Sequence, residues 1–274
     1  MRFLTKRDIN VDQDSKSLTP RVLALGLPRC ATSSLQAAFE ELDLYPCMHM
    51  SETMPYLARL QLVAKAINLM TAENFDKERA KRHKILHQLF DGWAASSDFP
   101  GMYFVEDLMD MYPDAKIVLN KRESSTAWNA SIHRTIKAMD SATFRWATCM
   151  WPANYELSRV MDSVRNANPN LYGLDDFWVE ATFDAHTERV MRAAKERGRE
   201  VVEWKPSMGW EPICRVAGKP VPDKPFPKLN DEATIKILIR VLIARGILSW
   251  AAMIAVPGFM LYWLSSRGVW SIGL

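Results

Sequence analysis

The stretch Leu25 to Leu35, LGLPRCATSSL, sets a glycine, an arginine, a cysteine and three hydroxyl side chains between an apolar run and a helical pattern. A helix that starts behind a tight turn presents free backbone N–H groups and the positive end of its dipole. Such a start suits an anion, phosphate or sulfate. Against the nucleotide-gripping pattern G-x-x-x-x-G-K-[ST], Gly26 matches, Ala31 takes the place of the second glycine, Thr32 that of the lysine, and Ser33 matches. Without the lysine a nucleoside-triphosphate hydrolase is disfavoured. Arg29 offers a forked cation instead.

Chemistry on a bound group also needs a proton acceptor. Asp98, in Ser96-Ser97-Asp98-Phe99-Pro100, can serve as a base where burial raises the proton affinity of a carboxylate, or it can cap a helix beginning near Pro100. His49, in PCMHM, follows a second strand and would share the carboxyl edge of the sheet with the loop; a structural histidine is the alternative. Glu52 and Glu106 are weaker candidates that read as exposed or capping. His83, His87, His133 and His186 sit in polar helical contexts and receive no role.

The elements that must position these groups are legible from periodicity. Arg21 to Leu25 (RVLAL) reads as a buried strand, and Leu35, Ala38, Phe39 and Leu42 follow at helical spacing, with Ser33 or Thr32 as the cap. Helices are expected over Pro55 to Met70, Asn74 to Phe90, Met102 to Met109, Ala142 to Val164 and Asp176 to Glu196. Lys116 to Asn120 (KIVLN) and Glu200 to Trp204 (EVVEW) supply further strands. Strands alternating with helices predict a parallel α/β sheet. Four prolines in GKPVPDKPFP, between Gly218 and Pro227, make an extended linker.

Composition sets the outer limits. The 274 residues are 48% hydrophobic and 24% charged, enough for one large core. A formal net charge of +3, with no basic run interleaved with aromatics, argues against nucleic acid. Cys30, Cys47, Cys149 and Cys214 lie far apart, with no metal-ligand spacing, and read as reduced thiols; no metal is expected. The amino terminus has no apolar run of signal-peptide length. From Gly246 to Leu264 the chain carries no charge, about the minimum for a bilayer core of roughly 30 Å. Lys236, Arg240 and Arg245 precede this run and only Arg267 follows it, which predicts a membrane-associated protein with its catalytic body in the cytosol, the endoplasmic reticulum being one such membrane. A hydrophobic helix packed on the domain is the other reading.

LGLPRCATSSL resembles the 5′-phosphosulfate loop of sulfotransferases, Pro-Lys/Arg-x-Gly-Thr-x-x-Leu after a strand. The chain is most similar to a fungal group of sulfotransferase-like P-loop proteins. Further blocks carry the likeness: PCMHM at Pro46 to Met50, YPDAKIVLNKR at Tyr112 to Arg122, and GWEPICRVAGKPVPDKPFPKLN at Gly209 to Asn230. The resemblance implies a P-loop-type three-layer α/β sandwich, a parallel sheet flanked by helices, with the C-terminal hydrophobic helix added. The expected organisation is a polar extension at 1–20, the sulfotransferase-like domain at 21–230, and a membrane-anchoring helix at 231–274.

The resemblance also implies 3′-phosphoadenosine 5′-phosphosulfate as donor. Arg29, Cys30, Ala31, Thr32, Ser33 and Ser34 would cradle its 5′-phosphate and sulfuryl group, and Arg122 and Ser131 would contact its 3′-phosphate. Asp98 falls where the cytosolic sulfotransferases carry their catalytic histidine. Ala31 stands where the family has glycine. The expected acceptor is a hydrophobic small molecule held by the helical segments of 55–90 and 142–183, with Trp128, Trp146, Trp151 and Trp178 as large surfaces nearby. Two other functions remain open: a donor-independent cyclase, dehydratase or isomerase on the same fold, or a non-catalytic membrane-tethered scaffold.

Overall fold

The computed structural model describes residues 18–229 and 231–267; most of the expected polar extension lies outside the described residues. The chain runs β1 (Val22–Ala24), α1 (Thr32–Glu41), β2 (Cys47–Met48), α2 (Met50–Thr53), α3 (Leu57–Asn68), α4 (Arg79–Phe90), β3 (Ala95–Ser97), α5 (Val105–Met111), β4 (Lys116–Asn120), α6 (Ser125–His133), α7 (Ala142–Thr148), α8 (Pro152–Tyr172), α9 (Glu180–Glu196), β5 (Val201–Trp204), α10 (Glu211–Ala217) and α11 (Asp231–Ser266). The five strands form one sheet in the order β2-β3-β1-β4-β5, with every pair parallel. The α/β class with helices on both faces is therefore as expected.

Strand periodicity divides the core. Val22 and Ala24 point to one side, where they meet Leu35 and Phe39 of α1 and Trp210 and Ile213 at α10. Leu23 and Leu25 point to the other, into the larger cluster supplied by α3, α4, α5, α8 and α9. In β4, Val118 joins the first cluster while Ile117 and Leu119 join the second. Both faces of these strands are buried, which is why they read as unbroken apolar runs.

Several expected helices are shorter than the periodicity implies. Residues 74–78 form turns before α4, and the segment 142–164 is interrupted at 149–151, where Trp151 caps α8 with Pro152 at its first position. Neither Thr32 nor Ser33 caps α1. That position belongs to Ala31, at φ 57°, ψ 30°, with no side-chain cap bond. β3 carries no strand signal at all, being Ala-Ser-Ser, and forms because β1 and β2 flank it with parallel ladders.

α11 resolves the choice between a packed and a free C-terminal helix by being both. Its first half lies against the domain, burying Ile235, Leu238 and Leu242. Gly246 lies so close to α7 that a Cβ there would sit 2.0 Å from the Ala147 carbonyl oxygen. From Ala251 to Trp263 every residue is exposed.

Candidate functional site

Strand order 2-3-1-4-5 places the carboxyl ends of β2, β3, β1 and β4 side by side, and a parallel α/β sheet opens its crevice at such a switch point. β1 delivers the loop 25–31, β2 delivers His49, β3 delivers Asp98, and β4 delivers Asn120 and Arg122.

The loop is pinned from outside by its carbonyls. Trp128 Nε1 donates to the Pro28 carbonyl at 2.9 Å, Arg122 Nη1 to that of Arg29 at 3.0 Å, and Asn120 Nδ2 to that of Cys30 at 2.9 Å. Asn120 Oδ1 also accepts the Gly26 N–H at 2.9 Å. Gly26 is required because a Cβ there would fall 1.9 Å from the Asn120 carbonyl oxygen. His186 Nε2 donates to the Leu25 carbonyl at 2.6 Å. With these carbonyls turned into the protein, the first amides of α1, which have no intrahelical acceptor, are left for an anion.

Ala31 keeps the left-handed backbone that the family's glycine would adopt. It packs against the cluster containing Leu35, Phe39 and Trp210 and does not wall the cavity described below. Three of the four non-glycine residues with positive φ among the described residues, Arg29 (70°), Ala31 (57°) and Asp98 (72°), belong to this site. Strain of this kind concentrates where the surroundings over-determine a functional geometry.

Arg29, Thr32, Ser33, His49 and Asp98 line one end of a cavity of about 900 Å³, its open mouth included. The remainder is apolar, walled by Met54, Phe99, Met102, Met139, Met161 and Phe177 among others, with Trp178 at its edge and Ile235 and Leu238 from α11 as a roof. The expected segment 142–183 supplies walls through α8, Phe177 and Trp178, whereas α3 and α4 of the expected segment 55–90 supply none, and Met50 of α2 adds a wall from outside both. Of the four tryptophans expected nearby, Trp178 lines it; Trp128 is core, and Trp146 and Trp151 are exposed at the foot of α11.

The hydrogen bonds of His49 fix its tautomer. The Ser51 backbone N–H can only donate, and it lies 3.1 Å from His49 Nδ1, so that nitrogen holds a lone pair and Nε2 carries the proton. Nε2 is 3.4 Å from Asp98 Oδ2, 3.3 Å from Thr32 Oγ1 and 3.5 Å from Ser33 Oγ. His49 is thus a neutral donor facing a carboxylate. Asp98 does not cap the turn that follows; its side chain faces His49 from the end of β3.

The other expected contacts divide. Arg29 Nε donates to Ser131 Oγ at 3.3 Å, and with the Arg122 bond to the Arg29 carbonyl this gathers Arg29, Arg122 and Ser131 into one patch. Ser34 Oγ instead accepts the Leu229 N–H at 3.1 Å, from the proline-rich linker. Cys30 turns into the core, and burial pushes its thiol up to about 12, which leaves it unreactive.

Glu52 and Glu106, expected to be exposed or capping, stand in the first turns of α2 and α5 but are withdrawn from the surface. Glu52 is buried and accepts from Gln36 Nε2 at 3.2 Å and Ser51 Oγ at 3.4 Å; Glu106 pairs with the buried Arg189. His186 is also buried. Asn120, Ser51 and Gln36 were not singled out from the sequence. The one available signal was a polar residue closing the apolar run KIVLN.

A sulfotransferase domain is matched over residues 21–235. The chain belongs to the sulfotransferase-domain family. It is also 31% identical, over 220 residues covering 76% of this chain and 80% of the relative, to Ava biosynthesis cluster protein M of Aspergillus versicolor. The pinned loop, the αL turn at Ala31 and the Arg29–Arg122–Ser131 patch bring free helix-start amides, two guanidinium groups and a hydroxyl together, a donor set suited to anionic oxygens.

Proposed function

We propose that this sulfotransferase-domain protein is an enzyme that transfers a sulfuryl group from 3′-phosphoadenosine 5′-phosphosulfate to a hydroxyl of a hydrophobic small molecule. One observation carries the reading: the helix start, the His49–Asp98 pair and an apolar hollow all open into a single cavity. The biosynthesis-cluster name of the Aspergillus relative supports a small-molecule acceptor.

Thr32, Ser33 and Arg29, with the first amides of α1, would hold the donor's 5′ end, and Arg122 and Ser131 its 3′-phosphate. The bound donor supplies the sulfuryl group and a phosphate leaving group. Asp98 receives the proton of the acceptor hydroxyl, and the His49 Nε2–H keeps the Asp98 carboxylate aimed at the loop. Apolar walls exclude water and orient the acceptor. We further propose that α11 holds the enzyme on a membrane with its body in the cytosol. Its second half is apolar on every side, and a helix of that kind belongs in lipid.

Calorimetry with 3′-phosphoadenosine 5′-phosphate tests the donor. Micromolar binding that Arg29→Ala and Arg122→Ala each weaken by at least tenfold is expected. A second reading draws on Ser34 being taken up by Leu229 and on Cys30 being turned into the core: a donor-independent isomerase, cyclase or dehydratase using Asp98 as base and His49 as donor. Turnover of an acceptor with no nucleotide binding selects it. Absence of both binding and turnover leaves a scaffold.

A further inference from the structure

Where α11 leaves the domain, three tryptophans and an arginine form a collar that takes no part in the cavity. Trp146 of α7 stacks on Trp250 of α11, with centroids 5.3 Å apart and rings 10° from parallel. Trp250 Nε1 donates to the Trp146 carbonyl at 3.2 Å, and Trp151 Nε1 to Ser249 Oγ at 3.0 Å. Arg245 lies 3.9 Å above the Trp151 ring, and among the described residues its Nε, out of reach of water, has no hydrogen-bond partner and no acidic group pairs with it. Trp146 is 63% exposed, far more than a packed tryptophan, and Met150, Trp151 and Tyr155 extend the exposed apolar surface beside it.

Aromatic rings with a cation at the root of an all-round apolar helix are the chemistry of a membrane interface. Arginine on an indole face keeps its outward N–H groups available for a phosphate oxygen. No acidic residue follows Glu232, so nothing in the rest of the chain repels an anionic headgroup. Beyond the collar, residues 251–266 give about 24 Å of helix to the hydrocarbon.

We propose that this collar is an anionic-phospholipid site in which Arg245 takes the headgroup phosphate and Trp146, Trp151 and Trp250 sit at the acyl boundary, so that the domain itself is seated on the bilayer. The inference rests on the membrane reading of α11 and adds to it a defined contact from α7. The seat also fixes the distance of the cavity roof from the lipid. Leu238 lies twelve residues before Trp250 on the same unbroken helix, about 18 Å.

The test uses the full chain reconstituted in phosphatidylcholine vesicles containing a minority of phosphatidic acid. Tryptophan quenching is compared between phosphatidic acid and phosphatidylcholine, each brominated high on the acyl chain. The wild-type chain should prefer phosphatidic acid about fivefold, as expected for one basic side chain at an anionic surface. Arg245→Gln should bring that ratio to one while the chain stays in the vesicles, and Arg245→Lys should keep part of it. Trp146→Phe should remove a large share of the shallow quenching. A chain that floats with the vesicles but shows no preference, or keeps it in Arg245→Gln, overturns the site and leaves the anchor standing. A chain that does not float overturns both.

Discussion

At the scale of single residues the decisive fact is which nitrogen of His49 carries the proton. With Nδ1 committed to the Ser51 amide, the imidazole presents a donor to the cavity and the carboxylate of Asp98 is the acceptor there. Asp98→Asn should therefore lower turnover by about 10²- to 10⁴-fold with nucleotide affinity little changed, measured as kcat beside a calorimetric Kd. Asparagine tolerates the left-handed backbone at φ 72°, so the fold should survive the change. Ala31 supplies a second test. A left-handed alanine costs about 1–2 kcal/mol, and glycine there costs little. Ala31→Gly is expected to raise stability by up to about 1 kcal/mol in urea, after the added freedom of the unfolded chain is subtracted.

At the scale of elements, α9 holds the start of the loop through His186 and is braced by Arg189, which pairs with Glu106 of α5. Burial lowers His186 from 6.5 to about 4, so the folded protein keeps it neutral where the unfolded chain would protonate it. Between those values the unfolded state binds the extra proton, and stability falls as pH drops from about 6.5 toward 4, by up to roughly 3 kcal/mol. The Arg189 guanidinium holds Glu106, and the His83 and Arg82 bonds hold Asp107, below the usual carboxylate range against the opposing effect of burial, which extends the loss to lower pH. Urea midpoints across this range check the sign; His186→Gln should flatten the upper part of the slope.

At the scale of the whole molecule, α11 joins the cavity to the proposed membrane seat. A chain stopped after Trp250 retains Ile235 and Leu238 and should be active and easily extracted from membranes. One stopped after Leu229 loses the roof, and its KM for a hydrophobic acceptor should rise by about tenfold or more, since each buried aliphatic side chain is worth about 1.5–3 kcal/mol. Equal KM in the two truncations would show that the roof does not touch the acceptor. The same experiment separates anchoring from catalysis, because only the longer form keeps one without the other.

The amino-acid order by itself determined the alternation of strands and helices, the strand-to-helix loop behind Gly26 and the apolar tail. Each of these rests on local spacing: RVLAL and KIVLN bury both faces and so need no partner to be recognised, and nineteen uncharged residues are long enough on any scale. What the tertiary structure decided is everything that depends on neighbours distant in the chain. β3 is a strand only because β1 and β2 bond to it, and Asn120 pins the loop at Gly26 and Cys30. Trp178 meets the cavity where Trp146 and Trp151 do not, and the linker reaches back to Ser34 from Leu229. A hydrogen bond or a wall contact made across fifty or more residues leaves no period in the sequence, so only the folded chain could place it.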